Sequence, residues 1–136
     1  MEKFKRRVEE TEKALRTLKE ISQESYSVVV RDAAIQRFEY TFEAFWKFLR
    51  EYLAEYEGVR CNSPKSCFRE ALSVGLVSDE QTVTCLEMTD DRNLTSHTYI
   101  EGLAEQIYKK TESYCKLMED IFNLVKKGAE GKKRGS

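Results

Sequence analysis

The sequence predicts an all-α protein, an up-and-down bundle of four main helices with a short additional helix. Three observations carry this. Apolar residues recur at alternating three- and four-residue spacing through most of the 136 residues, the period of a helix with one buried face. One proline and six glycines leave few breaks, so the helices should be long. No segment of useful length alternates apolar and polar residues with the two-residue period of a strand, and no internal repeat appears.

The elements follow in order. Residues 2–22 carry Phe4, Val8, Thr11, Leu15, Leu18 and Ile21 on one stripe. A polar break at Gln23–Ser27 separates them from a second helix over Val28–Tyr56. There Ile35, Phe38, Phe42, Phe45, Leu49 and Leu53 repeat the spacing, and Trp46 and Phe48 widen the stripe, as expected of the central element of a bundle. Glu57-Gly58 ends it with a residue free to take positive φ. Asn62-Ser63-Pro64 is a strong start signal, with Ser63 as N-cap and Pro64 at the first helical position. The short helix it opens should end near Gly75. Ser78-Asp79-Glu80-Gln81 begins a fourth helix carrying Val83, Leu86 and Met88. A last helix is expected from about Thr98, where Thr98 and Glu101 have capping-box spacing, to about Lys127, through Ile100, Leu103, Ile107, Tyr114, Leu117, Ile121 and Leu124. Residues 1–127 then form one bundle domain, and the polar, glycine-containing stretch 128–136 is expected to be a flexible basic tail.

Charged residues make up 35% of the chain and hydrophobic ones 40%, with 23 basic against 24 acidic side chains. A balance this close to neutral gives no support for wide contact with nucleic acid, which is usually met by a basic excess. No apolar run approaches a membrane span, and charges rather than an apolar core follow the N-terminus, so a cytoplasmic protein without membrane contact is expected. Cys61, Cys67, Cys85 and Cys115 show no C-x-x-C pair and no nearby histidine; they are expected to be reduced, small hydrophobes, with no metal and no cofactor.

The chemistry-bearing segment is Asp91-Arg92-Asn93-Leu94-Thr95-Ser96-His97-Thr98-Tyr99, which holds the single histidine of the chain. Histidine alone among the side chains has an ordinary pKa near neutrality. In a continuous helix Arg92 and His97 would face directions about 140° apart. A break between the fourth and last helices lets them converge, with His97 at a helix start where free N–H groups and the dipole favour phosphate and Arg92 able to bind it through two nitrogens. That is half of an acid–base site for phosphodiester cleavage. Such a reaction needs a base for the 2′-hydroxyl and an acid for the leaving oxygen, and a two-fold dimer would supply both. The same residues have plainer uses: His97 as a cap, Arg92 paired with Asp90 or Asp91, Tyr99 as a half-buried aromatic.

Longer strings carry a resemblance. Arg31-Asp32-Ala33-Ala34-Ile35-Gln36-Arg37-Phe38-Glu39-Tyr40-Thr41-Phe42-Glu43 resembles the central helix of the nucleotidyltransferase substrate-binding branch of the HEPN superfamily. Ser63-Pro64-Lys65, Phe68-Arg69-Glu70-Ala71 and Gly75-Leu76-Val77 continue it in order, and Met88 to Tyr99 resembles its signature region. The likeness covers about residues 5–125, with one departure at Cys85-Leu86, where an aromatic is expected.

The resemblance implies a dimerising helical subunit paired with a separately encoded minimal nucleotidyltransferase, homodimeric or heterotetrameric with it. In the wider superfamily an R-x4–6-H motif marks metal-independent ribonucleases, many of them toxins. Carried onto this chain it implies Arg92, Asn93, Ser96 and His97 as catalytic residues acting on RNA, and Tyr99 as the tyrosine that the nucleotidyltransferase antitoxin modifies with AMP. Asp32 and Glu39 are weaker candidates for positioning Arg92. The second reading, a non-catalytic subunit that binds substrate for the nucleotidyltransferase, uses the same polar segment.

Overall fold

The computed structural model describes residues 2–95 and 100–135. Among them every regular element is a helix: α1 (Glu2–Ser22), α2 (Val28–Tyr56), α3 (Pro64–Ser73), α4 (Asp79–Thr95) and α5 (Glu101–Gly135). Contacts fix their directions. Thr11 Oγ1 donates to the Ala44 carbonyl at 3.1 Å, Thr41 Oγ1 to that of Ala14 at 3.2 Å, and Arg37 to that of Thr17 at 2.8 Å. Residue numbers fall on α1 as they rise on α2, so the two are antiparallel. Phe38 stacks on Tyr114 and Phe48 meets Phe122, so α2 and α5 run parallel. Glu39 meets Thr95 and Glu43 meets Arg92, making α4 antiparallel to α2. With α3 as the short extra helix, the expected up-and-down arrangement is the one observed.

The caps explain why the boundaries fall where they do. Ser27, in extended conformation, accepts the N–H of Val30 at 3.0 Å and starts α2. At its far end Gly58 takes φ +66°, which lets Val59 N–H reach back to the Leu53 carbonyl at 2.9 Å; that six-to-one bond closes the helix. Ser63 and Ser66 cap each other at α3, and Ser78 and Gln81 exchange the same reciprocal bonds at α4, 3.1 and 3.0 Å long.

α2 packs against all four other helices and supplies the centre of the core. Phe38, Phe42, Phe45, Phe48 and Leu49 are fully buried along it. Phe68 of α3 lies against Phe42 and Phe45, and Phe4 of α1 against Phe48. Each such side chain contributes about 1.5–3 kcal/mol through the apolar surface it removes from water.

Two expectations need correction. The loose tail is instead helix: α5 continues through Gly135, Ala129 is 3% exposed, and Lys132 pairs with Glu57 at 2.6 Å while lying over the Tyr52 ring. The four-residue spacing of Ile121, Val125 and Ala129 carries the buried stripe past Lys127. The cysteines also differ. Cys61 and Cys67 form a disulfide with Cα atoms 5.3 Å apart, because the turn at Gly58 brings the loop back over the start of α3. Cys85 and Cys115 are free and buried, as expected.

Candidate functional site

The last two turns of α4 carry little apolar surface, so what fixes them is polar. Successive side chains there reach three different helices. Asp90 pairs with Lys65 of α3 at 2.6 Å. Asp91 accepts the Tyr114 hydroxyl of α5 at 2.5 Å and Lys110 at 3.0 Å. Arg92 pairs with Glu43 of α2 at 2.6 Å. Thr95 donates to Glu39, one turn earlier on α2, at 2.9 Å.

This is a consequence of helical geometry. Glu39 and Glu43 are four apart and share one face of α2; Arg92 and Thr95 are three apart and share one face of α4. Laid antiparallel, the two helices align both pairs as rungs. Asp91, next to Arg92, points the other way, into the seam with α5, where it is nearly buried. Burial and the bond to Asp91 push the Tyr114 phenol far above its ordinary pKa, so it stays a protonated donor at any physiological pH.

Glu43 is itself held. Its second oxygen accepts the Trp46 indole N–H at 3.2 Å, and Lys47 lies 3.5 Å away. Arg92 therefore rests on a carboxylate tied to a side chain at the edge of the core. Its own side chain is 29% exposed, and it borders a cavity of about 320 Å³ with Trp46, Lys65, Thr89 and Asn93. A cation near the C-terminal end of α4 is also favoured by the helix dipole. The arrangement offers a pre-oriented guanidinium beside a polar cavity, the kind of group that binds a phosphate oxygen without first having to be ordered.

Of the residues expected from sequence, Arg92 and Asn93 stand together at this cavity. Ser96, His97 and Tyr99 lie outside the described residues, as does Thr98 of the expected capping box. Asp32 takes the Nε–H of Arg31 at 3.0 Å, and Glu39 takes Thr95; the carboxylate found on Arg92 is that of Glu43. The sequence did hold a signal for it: Glu39 and Glu43 repeat on one helix face, and Glu43 precedes Lys47 by four residues. Among the described residues no group of His, Cys, Asp or Glu is arranged to hold a metal ion.

A second polar centre lies where α2 and α5 begin. Arg31 is 1% exposed yet charged, and it donates to Glu105 at 2.7 Å and approaches Glu101 at 3.5 Å. Tyr26 also donates to Glu105. The Tyr26 bond first, then Arg31, hold the Glu105 carboxyl below its ordinary pKa.

Comparison with known proteins places the chain in a family. Residues 6–127 match the family described as nucleotidyltransferase substrate binding protein like. A Haemophilus influenzae protein named "Probable ribonuclease HepT" is 32% identical over 95 residues, 67% of this chain. The chain spans 62% of that relative's length. A crystal structure of a Thermus thermophilus protein superimposes with a TM-score of 0.81 at 53% identity, over 85% of this chain and 98% of that one. A Shewanella oneidensis HEPN toxin, tri-AMPylated and in complex with its MNT antitoxin, superimposes with a TM-score of 0.74 over 93% of this chain and 98% of that one. At 14% identity that last likeness speaks for the fold alone. The strings around Arg31, Ser63 and Met88 thus pointed to the right relatives, and the chain belongs to the nucleotidyltransferase substrate binding protein-like family.

Proposed function

We propose that this protein is a metal-independent ribonuclease toxin, held in check by a minimal nucleotidyltransferase that acts as its antitoxin. The observation that carries the reading is Arg92 held on Glu43 at the end of α4, in a chain with the spacing Arg-x4-His-x-Tyr. A relative is named as a probable ribonuclease, which supports it further.

In this reading Arg92 stabilises the pentacovalent phosphate. His97 takes the proton of the attacking 2′-hydroxyl, and His97 of a second copy gives a proton to the leaving 5′-oxygen. A 2′,3′-cyclic phosphate and a free 5′-hydroxyl result. Asn93 and Ser96 orient the reacting groups, and no cofactor takes part. The exposed Leu94, within the motif, and Ile100, just after it, suit a homodimer that would bring the two copies together. Tyr99 is the acceptor for AMP from the nucleotidyltransferase. The protein works in the cytoplasm, where its RNA and its partner are; no helix among the described residues is long and apolar enough to cross a membrane.

The test is expression of the chain alone and as His97→Ala, with growth and RNA integrity followed. Growth arrest and RNA cleavage that both disappear in the variant support the proposal. A wild-type chain that is dimeric, harmless and leaves RNA intact overturns it. The second reading, a subunit that binds substrate for the nucleotidyltransferase, is favoured by the description of the family itself; it would then stand.

A further inference from the structure

The disulfide lies where the chain passes from α2 to α3, and the ring it closes includes part of the Arg92 cavity. Cys61 and Cys67 are bonded across a separation of six residues. Between them Ser63, Pro64 and Lys65 form one wall of the cavity of about 320 Å³, which Trp46, Arg92 and Asn93 line from the other side. Lys65 carries that wall to α4 through its 2.6 Å pair with Asp90, two residues before Arg92. Cys67 is fully buried, next to Phe68, whose ring lies against Phe42 and Phe45. Cys61 belongs to the loop, between the exposed Arg60 and Asn62. That loop is tied at one end by Val59 N–H on the Leu53 carbonyl and at the other by the Ser63–Ser66 cap. The bond to Cys67 fixes its middle.

We propose that the Cys61–Cys67 bond is a thiol–disulfide switch on the Arg92 cavity: oxidised, it locks the Ser63–Lys65 wall, and reduction by a dithiol releases that wall. The switch is a control on the proposed ribonuclease site, and it rests on that reading for its effect on RNA. A protein that meets RNA in the cytoplasm works among reducing thiols, where a disulfide is usually transient, catalytic or redox-sensing. The surrounding structure suits a bond that opens without unfolding. A ring this short removes less entropy from the unfolded chain than a long one does. What builds α3 is also independent of sulfur: the Ser63–Ser66 cap, Pro64 in its first turn, and Phe68 against Phe42 and Phe45. Reduction therefore leaves the bundle in place and frees one wall of one cavity.

The exchange begins at Cys61, the less buried of the two. A thiolate of the dithiol attacks its Sγ, the Sγ–Sγ bond breaks, and the electron pair passes to Cys67, which leaves as a thiolate and takes up a proton. Cys67 is the fourth residue of α3, where the positive end of the helix dipole favours a negative leaving group. The second thiol of the dithiol then displaces Cys61 and departs as a cyclic disulfide. The chain gains two electrons and two protons, and the dithiol loses them. Cys85 and Cys115 stay out of the exchange, because both are buried and burial holds their thiols protonated. With Cys61 released, Pro64 and Lys65 lose their fixed place, and the face of Trp46 towards the cavity opens to solvent.

The test is treatment of the full chain with dithiothreitol under native conditions, with thiol trapping to count reduced cysteines and far-ultraviolet circular dichroism to follow the helices. The disulfide should open while the helical signal stays, and oxidised glutathione should close it again. Trp46 is the single tryptophan, so its fluorescence reports on the cavity directly: reduction should shift its emission to the red and raise its quenching by acrylamide. The doubly substituted chain, Cys61→Ser with Cys67→Ser, should show the reduced behaviour with or without dithiothreitol. A bond that opens only in denaturant overturns the proposal. So does a Trp46 signal that ignores reduction, or one that responds to dithiothreitol equally in the doubly substituted chain. On RNA, the oxidised form should cleave about tenfold faster than the reduced one, the scale of a displaced wall with every reacting group still present. Equal cleavage by both forms overturns the switch and leaves the ribonuclease standing. A chain that leaves RNA intact in both states while Trp46 responds removes the ribonuclease and leaves the switch.

Discussion

The carboxylate of Glu43 lies 2.6 Å from the guanidinium of Arg92, and its other oxygen is occupied by the indole of Trp46. The arginine that the sequence singles out is thus aimed by a residue forty-nine positions earlier, on a helix that runs the opposite way.

Removing that support should affect turnover more than folding. If the chain cleaves RNA as proposed, Glu43→Gln should lower kcat on the order of tens of fold with little change in KM, because a misaimed guanidinium loses contacts made in the transition state. Steady-state kinetics beside a thermal melt check it. An unchanged kcat would show that Arg92 needs no prop.

Tyr114→Phe leaves the buried oxygens of Asp91 short of one donor. The expected cost is about 1–3 kcal/mol of unfolding free energy, measured by urea denaturation at neutral pH. The conservative Asp91→Asn, which keeps an acceptor for the phenol, should cost less than Asp91→Ala.

The Glu105 carboxyl is held below its ordinary 4.5 by Tyr26 and Arg31. A group whose folded pKa is depressed contributes stability above its unfolded pKa and loses it as pH falls through the folded one. The contribution is therefore complete near neutrality and fades as pH falls below the ordinary value of 4.5. Urea midpoints of the wild type should fall more steeply with acid than those of Glu105→Gln, which never carries the charge. Parallel curves for the two proteins would remove Glu105 as a source of the acid sensitivity.

The cysteines divide into two classes. Burial pushes Cys85 up to about 12 and Cys115 up to about 11, so neither thiol reacts at pH 7 to 8 until the protein unfolds. Without reductant, a colorimetric thiol reagent should find no fast-reacting thiol in the native chain and two in denaturant. Opening the short Cys61–Cys67 loop should cost about 2 kcal/mol, visible as a lower denaturation midpoint with dithiothreitol.

Cutting the chain after Lys127 removes Ala129 from the core surface and the Lys132 ion pair with Glu57. Exposed ion pairs contribute little, so the loss should be about 1–2 kcal/mol, most of it from burial at Ala129 and the fraying of the last turn of α5. A melt of the truncated chain against the full one decides it; equal stability would make residues 128–135 an ornament on the bundle.

Much of the fold was legible because its signals are local. Ser27, Ser63, Ser78 and Gly58 cap or end helices through residues within a few positions of themselves, and the phenylalanine stripe of α2 reads directly as its buried face. What escaped was set by register between distant segments. The pairing of Glu43 rather than Glu39 with Arg92 depends on how α4 slides along α2, and a one-turn difference exchanges the two. The Cys61–Cys67 bond depends on the turn at Gly58 bringing a loop back on a helix. The run of α5 past Gly128 was hidden because lysine and glycine dominate the composition while a single alanine keeps the contact.

One helix, α2, holds the chain on both sides of residues 96–100. On the near side Thr95 is fastened to Glu39, and on the far side Glu101 and Glu105 approach Arg31. Glu39 and Arg31 are two turns apart, about 12 Å of helix. The backbone of α2 thus works as a ruler for the span the motif must cross. Inserting or deleting a residue between Thr95 and Glu101 would set the motif against that ruler, and a substitution at Arg31, far from any reacting atom, would free the mark at which Glu101 and Glu105 are held.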